Sequence, residues 1–250
     1  MRSRKRIFPV VHPAGQSKIS PKGNTMPLTA KDIAAMTDLA AVKAECDEND
    51  VRQMVQVAKQ FGCKCVIALP GMTELVCELV AGTDIILAGV VGFPSGGNTS
   101  AAKAFEAAEL VRLGCRELDM VINVGMLRSG RLGYVRDDIA SVVQASQGLD
   151  VKVILECHYL SDDQIRSACD ACRQGGAKWV KTSTGWAGSG ATVHNISLIK
   201  SCVGESMQIK ASGGIRTVGQ IQELYNCGAR RFGIGSASAV EIFRQIKDKS

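Results

Sequence analysis

The chain has 250 residues, 46% hydrophobic and 22% charged, a size that suits one (β/α)8 barrel as well as two smaller domains and a composition that excludes wholesale disorder and fibrous repeats. It contains no run of about 18 apolar residues, so no membrane-spanning segment is expected. The formal charge of +6 resembles that of a nucleic-acid binder until it is located: residues 1–30 hold six Lys/Arg and no acid, leaving 24 residues of each sign elsewhere.

The basic excess therefore belongs to the N-terminal end. Arg2, Arg4, Lys5 and Arg6 are followed by Pro9, Pro13 and Pro21 among small polar residues, without the apolar stretch of a secretory signal. Residues 1–25 are expected to form a basic, flexible tail, and residues 26–250 one α/β domain. Nucleic-acid binding through the tail is the weaker reading, and it would show steep salt dependence.

From there the chain alternates. Apolar runs rich in Val, Ile and Leu at 65–69, 85–91, 117–122, 151–156, 179–181, 208–211 and 231–234 read as buried parallel strands, with 34–41 as a weak first strand. Helical patterns lie between them at 50–61, 101–113, 135–147, 162–174, 193–202 and 218–226, and Gly62, Gly114, Gly175 and Gly228 are placed as helix C-caps. Eight such units point to a closed (β/α)8 barrel or an open doubly wound sheet. The barrel is favoured because unusual polar residues recur toward strand C-terminal ends, where barrel enzymes carry their chemistry: Asp119 and Asn123 in the fourth strand, Glu156 closing the fifth, Lys181 the sixth and Lys210 the seventh.

Ten cysteines are spread through the apolar segments. With no secretory signal they read as reduced thiols of a cytoplasmic protein. Cys63 and Cys65 are expected on one face of a strand start, and Cys169 and Cys172 inside a helix, so neither pair is read as a metal or redox site.

Lys181 follows apolar residues that would hold its stem in a dry strand. It has two readings: an ion pair with Asp119 or Glu156, or a nucleophile, which needs its amine neutral. Lys210, on the neighbouring strand, would favour the second by placing another cation nearby. The turns Ser212-Gly213-Gly214 and Gly233-Ile-Gly235-Ser236 can offer backbone N–H groups to a phosphate, which barrels often bind after their last two strands.

The strings Leu118-Asp-Met-Val-Ile-Asn-Val-Gly125, Val180-Lys-Thr-Ser-Thr-Gly185 and Ile209-Lys-Ala-Ser-Gly-Gly-Ile-Arg-Thr217 resemble those of deoxyribose-phosphate aldolases. Gly92-Phe-Pro-Ser-Gly96, Gly190-Ala-Thr192 and 233–236 match as well, so the resemblance runs from about residue 34 to the C-terminus. It implies a class I aldolase that cleaves 2-deoxy-D-ribose 5-phosphate to acetaldehyde and D-glyceraldehyde 3-phosphate, with no metal or other cofactor. It further implies Lys181 as the imine-forming lysine, Lys210 as the group that depresses its pKa, and Asp119 as proton relay with a water. Gly213, Gly214, Gly235 and Ser236 would hold the phosphate, joined by Gly185 and Thr182, with Asp38, Asn123 and Glu156 as polar support.

The pattern departs from the family where Leu39 and Ala40 follow Asp38 in place of His-Thr, and where Leu69 precedes Pro70 in place of Asn. These changes are expected to strip polar groups from the mouth and leave a different small aldehyde or ketose as an alternative substrate. Ile234-Gly235 replaces part of a more serine-rich segment, which would weaken phosphate binding. A barrel that binds a phosphorylated metabolite without catalysis is a further alternative. His158 could be a base or merely polar, Trp186 could wall the site or pack, and His12 and His194 form no serine–histidine set. Expected partners are a sugar phosphate, an aldehyde and further copies of the chain as dimer or tetramer.

Overall fold

Short runs of branched apolar residues form eight parallel strands, β1 (Thr37–Ala41), β2 (Cys65–Ala68), β3 (Ile86–Val91), β4 (Glu117–Val121), β5 (Asp150–Ile154), β6 (Trp179–Lys181), β7 (Gln208–Ser212) and β8 (Arg231–Gly235). Each pairs with its sequence neighbour, and β8 returns to β1 to close a barrel. Around it run α1 (Ala30–Ala35), α2 (Glu48–Phe61), α3 (Thr73–Val80), α4 (Ser100–Arg112), α5 (Val124–Arg128), α6 (Leu132–Ala145), α7 (Asp162–Gln174), α8 (Val193–Val203), α9 (Val218–Asn226) and α10 (Ser236–Lys247). This computed structural model describes residues 26–247, so the expected tail at 1–25 lies outside the described residues. Among the described residues no helix is long and apolar enough to cross a membrane.

The barrel expected from the alternation is the one observed, with shifted boundaries. The weak strand read at 34–41 is half helix: the Thr29–Asp32 capping box starts α1, Met36 turns the chain, and β1 begins at Thr37. The fifth strand stops at Ile154, and Glu156 lies beyond it in the left-handed region, φ +54°. Gly62 caps α2 in a left-handed conformation as expected, but Gly175 is right-handed, and Gly176, at φ +83°, makes the turn after α7.

Strand residues alternate between two layers. Outward residues such as Leu39, Val66, Leu118, Val153, Val180 and Phe232 pack with the buried faces of the helices in one continuous core. Inside the barrel, Cys65, Ile67, Ala88 and Val90 of β2 and β3 form a separate apolar cluster. Much of the rest of the interior is charged: Asp38, Glu117, Asp119, Lys152, Lys181, Lys210 and Arg231 are all buried. Cys63 and Cys65 fall on opposite sides of this wall, against the expectation of a shared face, because Cys63 precedes the strand and joins the outer core. A second buried pair fastens the helices: Lys103 of α4 reaches Asp138 of α6 at 2.6 Å and donates to the carbonyl of Val121 at 3.0 Å.

Candidate active site

Parallel pairing of β6 with β7 sets Lys181 directly beside Lys210. Both amines reach one atom, Asp119 Oδ2, at 2.8 Å each, from β4 across the barrel interior. Lys210 also contacts Asp38 Oδ2 at 2.5 Å, whose other oxygen takes Arg231 Nε at 2.7 Å. Arg231 continues to Glu117 at 3.1 Å, Glu117 to Lys152 at 2.6 Å, and Lys152 back to Asp119 Oδ1 at 3.1 Å. The result is a closed ring of charges with Lys181 at its upper edge, where the cavity begins.

Burial is the first cause of the lowered Lys181 pKa, which falls to about 8; Asp119 opposes the shift, and Lys210 and Lys152 add to it. The sequence expectation assigned the lowering to the second cation, whereas loss of hydration leads here. Burial would raise Asp119, but Lys152, Lys181 and Lys210 outweigh it and hold the carboxyl well below the usual range. Asp119 is thus a fixed anion and Lys181 an amine able to shed its proton near neutrality.

Lys181 and Lys210 open onto a cavity of about 280 Å³. Gly185, Gly213, Gly214 and Gly235 line it as expected, joined by Ser238 and two cationic residues not singled out from the sequence, Lys43 and Arg216. Gly213 and Gly214 take φ of +88° and +75°. At Gly190 an added Cβ would sit 2.0 Å from the Gly213 carbonyl oxygen, so the loops after β6 and β7 touch backbone to backbone.

Four expected residues lie elsewhere. Ser236 opens α10 and is not among the residues lining the cavity, which Ser238, two positions on, joins. Thr182 is fully buried and exchanges hydrogen bonds with the Ser212 backbone, tying β6 to β7. Asn123 caps α5 by accepting from Met126 N at 3.0 Å. Glu156 accepts from Thr184 N at 3.2 Å and from its hydroxyl, fixing the loop that follows Lys181. Asp38, read from the sequence as polar support, pairs with Lys210 and Arg231. Of the departures from the family pattern, Leu39 faces the outer core, so only Ala40 alters the cavity wall on β1, while Leu69 adjoins the inner apolar cluster. His158 bonds Ser189 at 2.8 Å and His194 pairs with Asp162 at 2.9 Å, both exposed, while His12 lies outside the described residues. Trp186 lines the cavity and packs on Phe93.

Sequence reasoning missed Lys152, Glu117 and Arg231. Asp38, Cys65 and Glu117 present ligand atoms within 4.8 Å of one another, but the Arg231 guanidinium bonds both carboxylates and fills the cation position. All ten cysteines are free, and burial pushes the thiols of Cys63, Cys115 and Cys157 up to about 12.

Fold and site together define a (β/α)8 barrel with two buried lysines joined on one carboxylate at the floor of its mouth. The model for DeoC/LacD family aldolases matches residues 30–243. The deoxyribose-phosphate aldolase of Sinorhizobium medicae (strain WSM419) is 44% identical over 219 residues, covering 87% of this chain and 88% of that protein. That of Methanothermobacter thermautotrophicus is 41% identical over 215 residues, covering 86% and 95%. The solved tetrameric deoxyribose phosphate aldolase from Aeropyrum pernix superposes with a TM-score of 0.81 at 29% identity, over 89% of this chain and 94% of that one. The chain belongs to the DeoC/LacD aldolase family.

Proposed function

We propose that the chain is a class I aldolase that cleaves 2-deoxy-D-ribose 5-phosphate to acetaldehyde and D-glyceraldehyde 3-phosphate through a Schiff base on Lys181. The observation that carries this reading is the sharing of Asp119 Oδ2 by two buried lysines that line the cavity, with burial first among the causes that bring the Lys181 pKa to about 8. A barrel that only binds a metabolite has no use for an amine near neutrality.

In this reading the neutral Lys181 amine attacks the C1 carbonyl of the open-chain sugar, and loss of water leaves a protonated imine. The C3 hydroxyl then gives up its proton as the C2–C3 bond breaks, and the electron pair moves into the imine to leave an enamine and release the three-carbon aldehyde. Protonation of the enamine carbon and hydrolysis free acetaldehyde. Asp119, ionised and within 2.8 Å of Lys181, supports the proton transfers with a water. Lys210 beside it disfavours the ammonium form of Lys181. Backbone N–H groups of Gly213, Gly214 and Gly235, with Ser238, Arg216 and Lys43, suit the phosphate, whose binding energy holds C1 at the amine.

Incubation with acetaldehyde followed by borohydride should place a stable adduct on Lys181, read by mass spectrometry. Lys181→Arg should keep the fold but lose both adduct and turnover. No adduct on a folded protein would remove the Schiff-base reading and favour the binding barrel. Ala40 on the cavity wall favours a second reading, the same chemistry on another aldehyde acceptor. Equal turnover of phosphorylated and unphosphorylated deoxyribose would support it and remove the phosphate assignment.

The proposal includes self-association as a dimer or tetramer, supported by the tetrameric structure of the related aldolase from Aeropyrum pernix. Light scattering that shows a monomer at micromolar to millimolar concentration would remove that part. Ten free thiols suit a reducing, cytoplasmic setting.

A further inference from the structure

Trp186 stands where two cavities meet. It borders the Lys181 cavity on one side and, on the other, a side chamber of about 500 Å³ whose lining includes Arg128, Glu156 and Tyr159. Thr184 is the other residue common to both linings.

The residue is fixed at three points. Its Nε1–H donates to the Val42 carbonyl at 2.9 Å, across the mouth on the segment after β1. Its ring meets Phe93, after β3, edge to face at 6.1 Å between centroids. Its backbone N–H donates to Thr184 Oγ1 at 3.0 Å, and Thr184 is held in turn by Glu156. A large aromatic side chain with its polar edge satisfied and its ring packed keeps one position, so the partition is rigid although the residue is 43% accessible. Behind it, Glu156 commits Oε2 to Thr184, while Oε1 has no hydrogen-bond partner among the described residues.

We infer that Trp186 is a specificity-determining residue: it walls the aldolase cavity off from the side chamber and so limits the length of the acceptor aldehyde. The inference rests on the aldolase reading. Removing the ring joins the two volumes into one trough, along which an aldehyde too long for the present cavity can extend.

The test runs the reaction in the synthetic direction with acetaldehyde as donor, comparing D-glyceraldehyde 3-phosphate with 6-hydroxyhexanal as acceptor. In Trp186→Ala the ratio of kcat/KM for the long acceptor over the short one should rise by roughly tenfold or more, the scale on which pocket volume discriminates chains. Trp186→Phe keeps a ring in place and should stay close to the unaltered protein. Trp186→Leu answers the same question if Trp186→Ala does not fold. Borohydride trapping of acetaldehyde on Lys181 is run on every variant. An unchanged ratio in a truncated variant that still traps overturns the wall alone. Unaltered protein that traps nothing overturns the aldolase reading and this inference with it.

Discussion

The Lys181 amine loses its water as β6 ends inside the barrel, and that loss, ahead of the Lys210 and Lys152 cations, brings its pKa to about 8. Turnover that needs the neutral amine should therefore rise with pH through an acid limb near 8. Lys210→Leu removes one lowering influence, so the limb should move to higher pH while staying below the ordinary 10.5, because burial persists. Lys152→Met should move it in the same direction by less, since Lys210 is the larger contributor. A kcat/KM profile with an unmoved limb in Lys210→Leu would contradict this division of labour. Lys181, Lys210 and Asp119 were legible because a charge in an apolar strand is costly to bury alone. Lys152, Glu117 and Arg231 obey the same logic, but Glu117 and Arg231 open their strands and Lys152 sits mid-strand, and attention confined to C-terminal ends passes over them. Counting by twos from Asp119 back to Glu117 puts both on the inner face, a signal present in the sequence. Ser236 opens α10 outside the cavity lining while Ser238 of the same helix joins it, a placement that a motif does not show.

Among the elements, α7 and α9 were read to the residue because Ser161 with Gln164 and Thr217 with Gln220 form capping boxes that mark their starts. By contrast α3 follows a 3₁₀ turn at Pro70–Met72 and has no side-chain cap, α5 is only five residues long, and neither was anticipated. The α4–α6 contact carries its own prediction. Lys103 and Asp138 are both fully buried; Lys103 meets Asp138 Oδ2, and Oδ1 has no hydrogen-bond partner among the described residues. Lys103→Met strands a buried carboxylate and should cost about 3–5 kcal/mol in urea unfolding, whereas Lys103→Met with Asp138→Leu should recover most of that loss. A double variant as unstable as the single one would mean that the Val121 carbonyl contact, not the ion pair, is what α4 supplies.

Across the whole molecule the barrel interior holds four cations, Lys152, Lys181, Lys210 and Arg231, against three carboxylates, Asp38, Glu117 and Asp119. Charge balances when one cation becomes neutral, and Lys181, at the solvent edge of the ring, is the one whose pKa falls to about 8. The acids set the opposite boundary. Asp38 and Asp119 have pKa values below the ordinary 3.8, despite burial, because of the cations around them. Their contribution to stability is therefore present above 3.8 and lost as pH falls from there through their folded values. Urea midpoints should hold from this source between pH 7 and 5, then drop below pH 4, and Asp38→Asn should flatten the drop. A loss of stability already complete at pH 5 would contradict the ring. The barrel closure was legible from alternation and length, but the lopsided filling of its interior was not, because it depends on which strands face one another across the axis. That asymmetry separates two kinds of evolutionary change. Trimming Ile67 or Val90 on the hydrocarbon side, where both border the cavity, reshapes what enters without disturbing protonation. A descendant enzyme can thus acquire a new diet while inheriting its reactive amine intact.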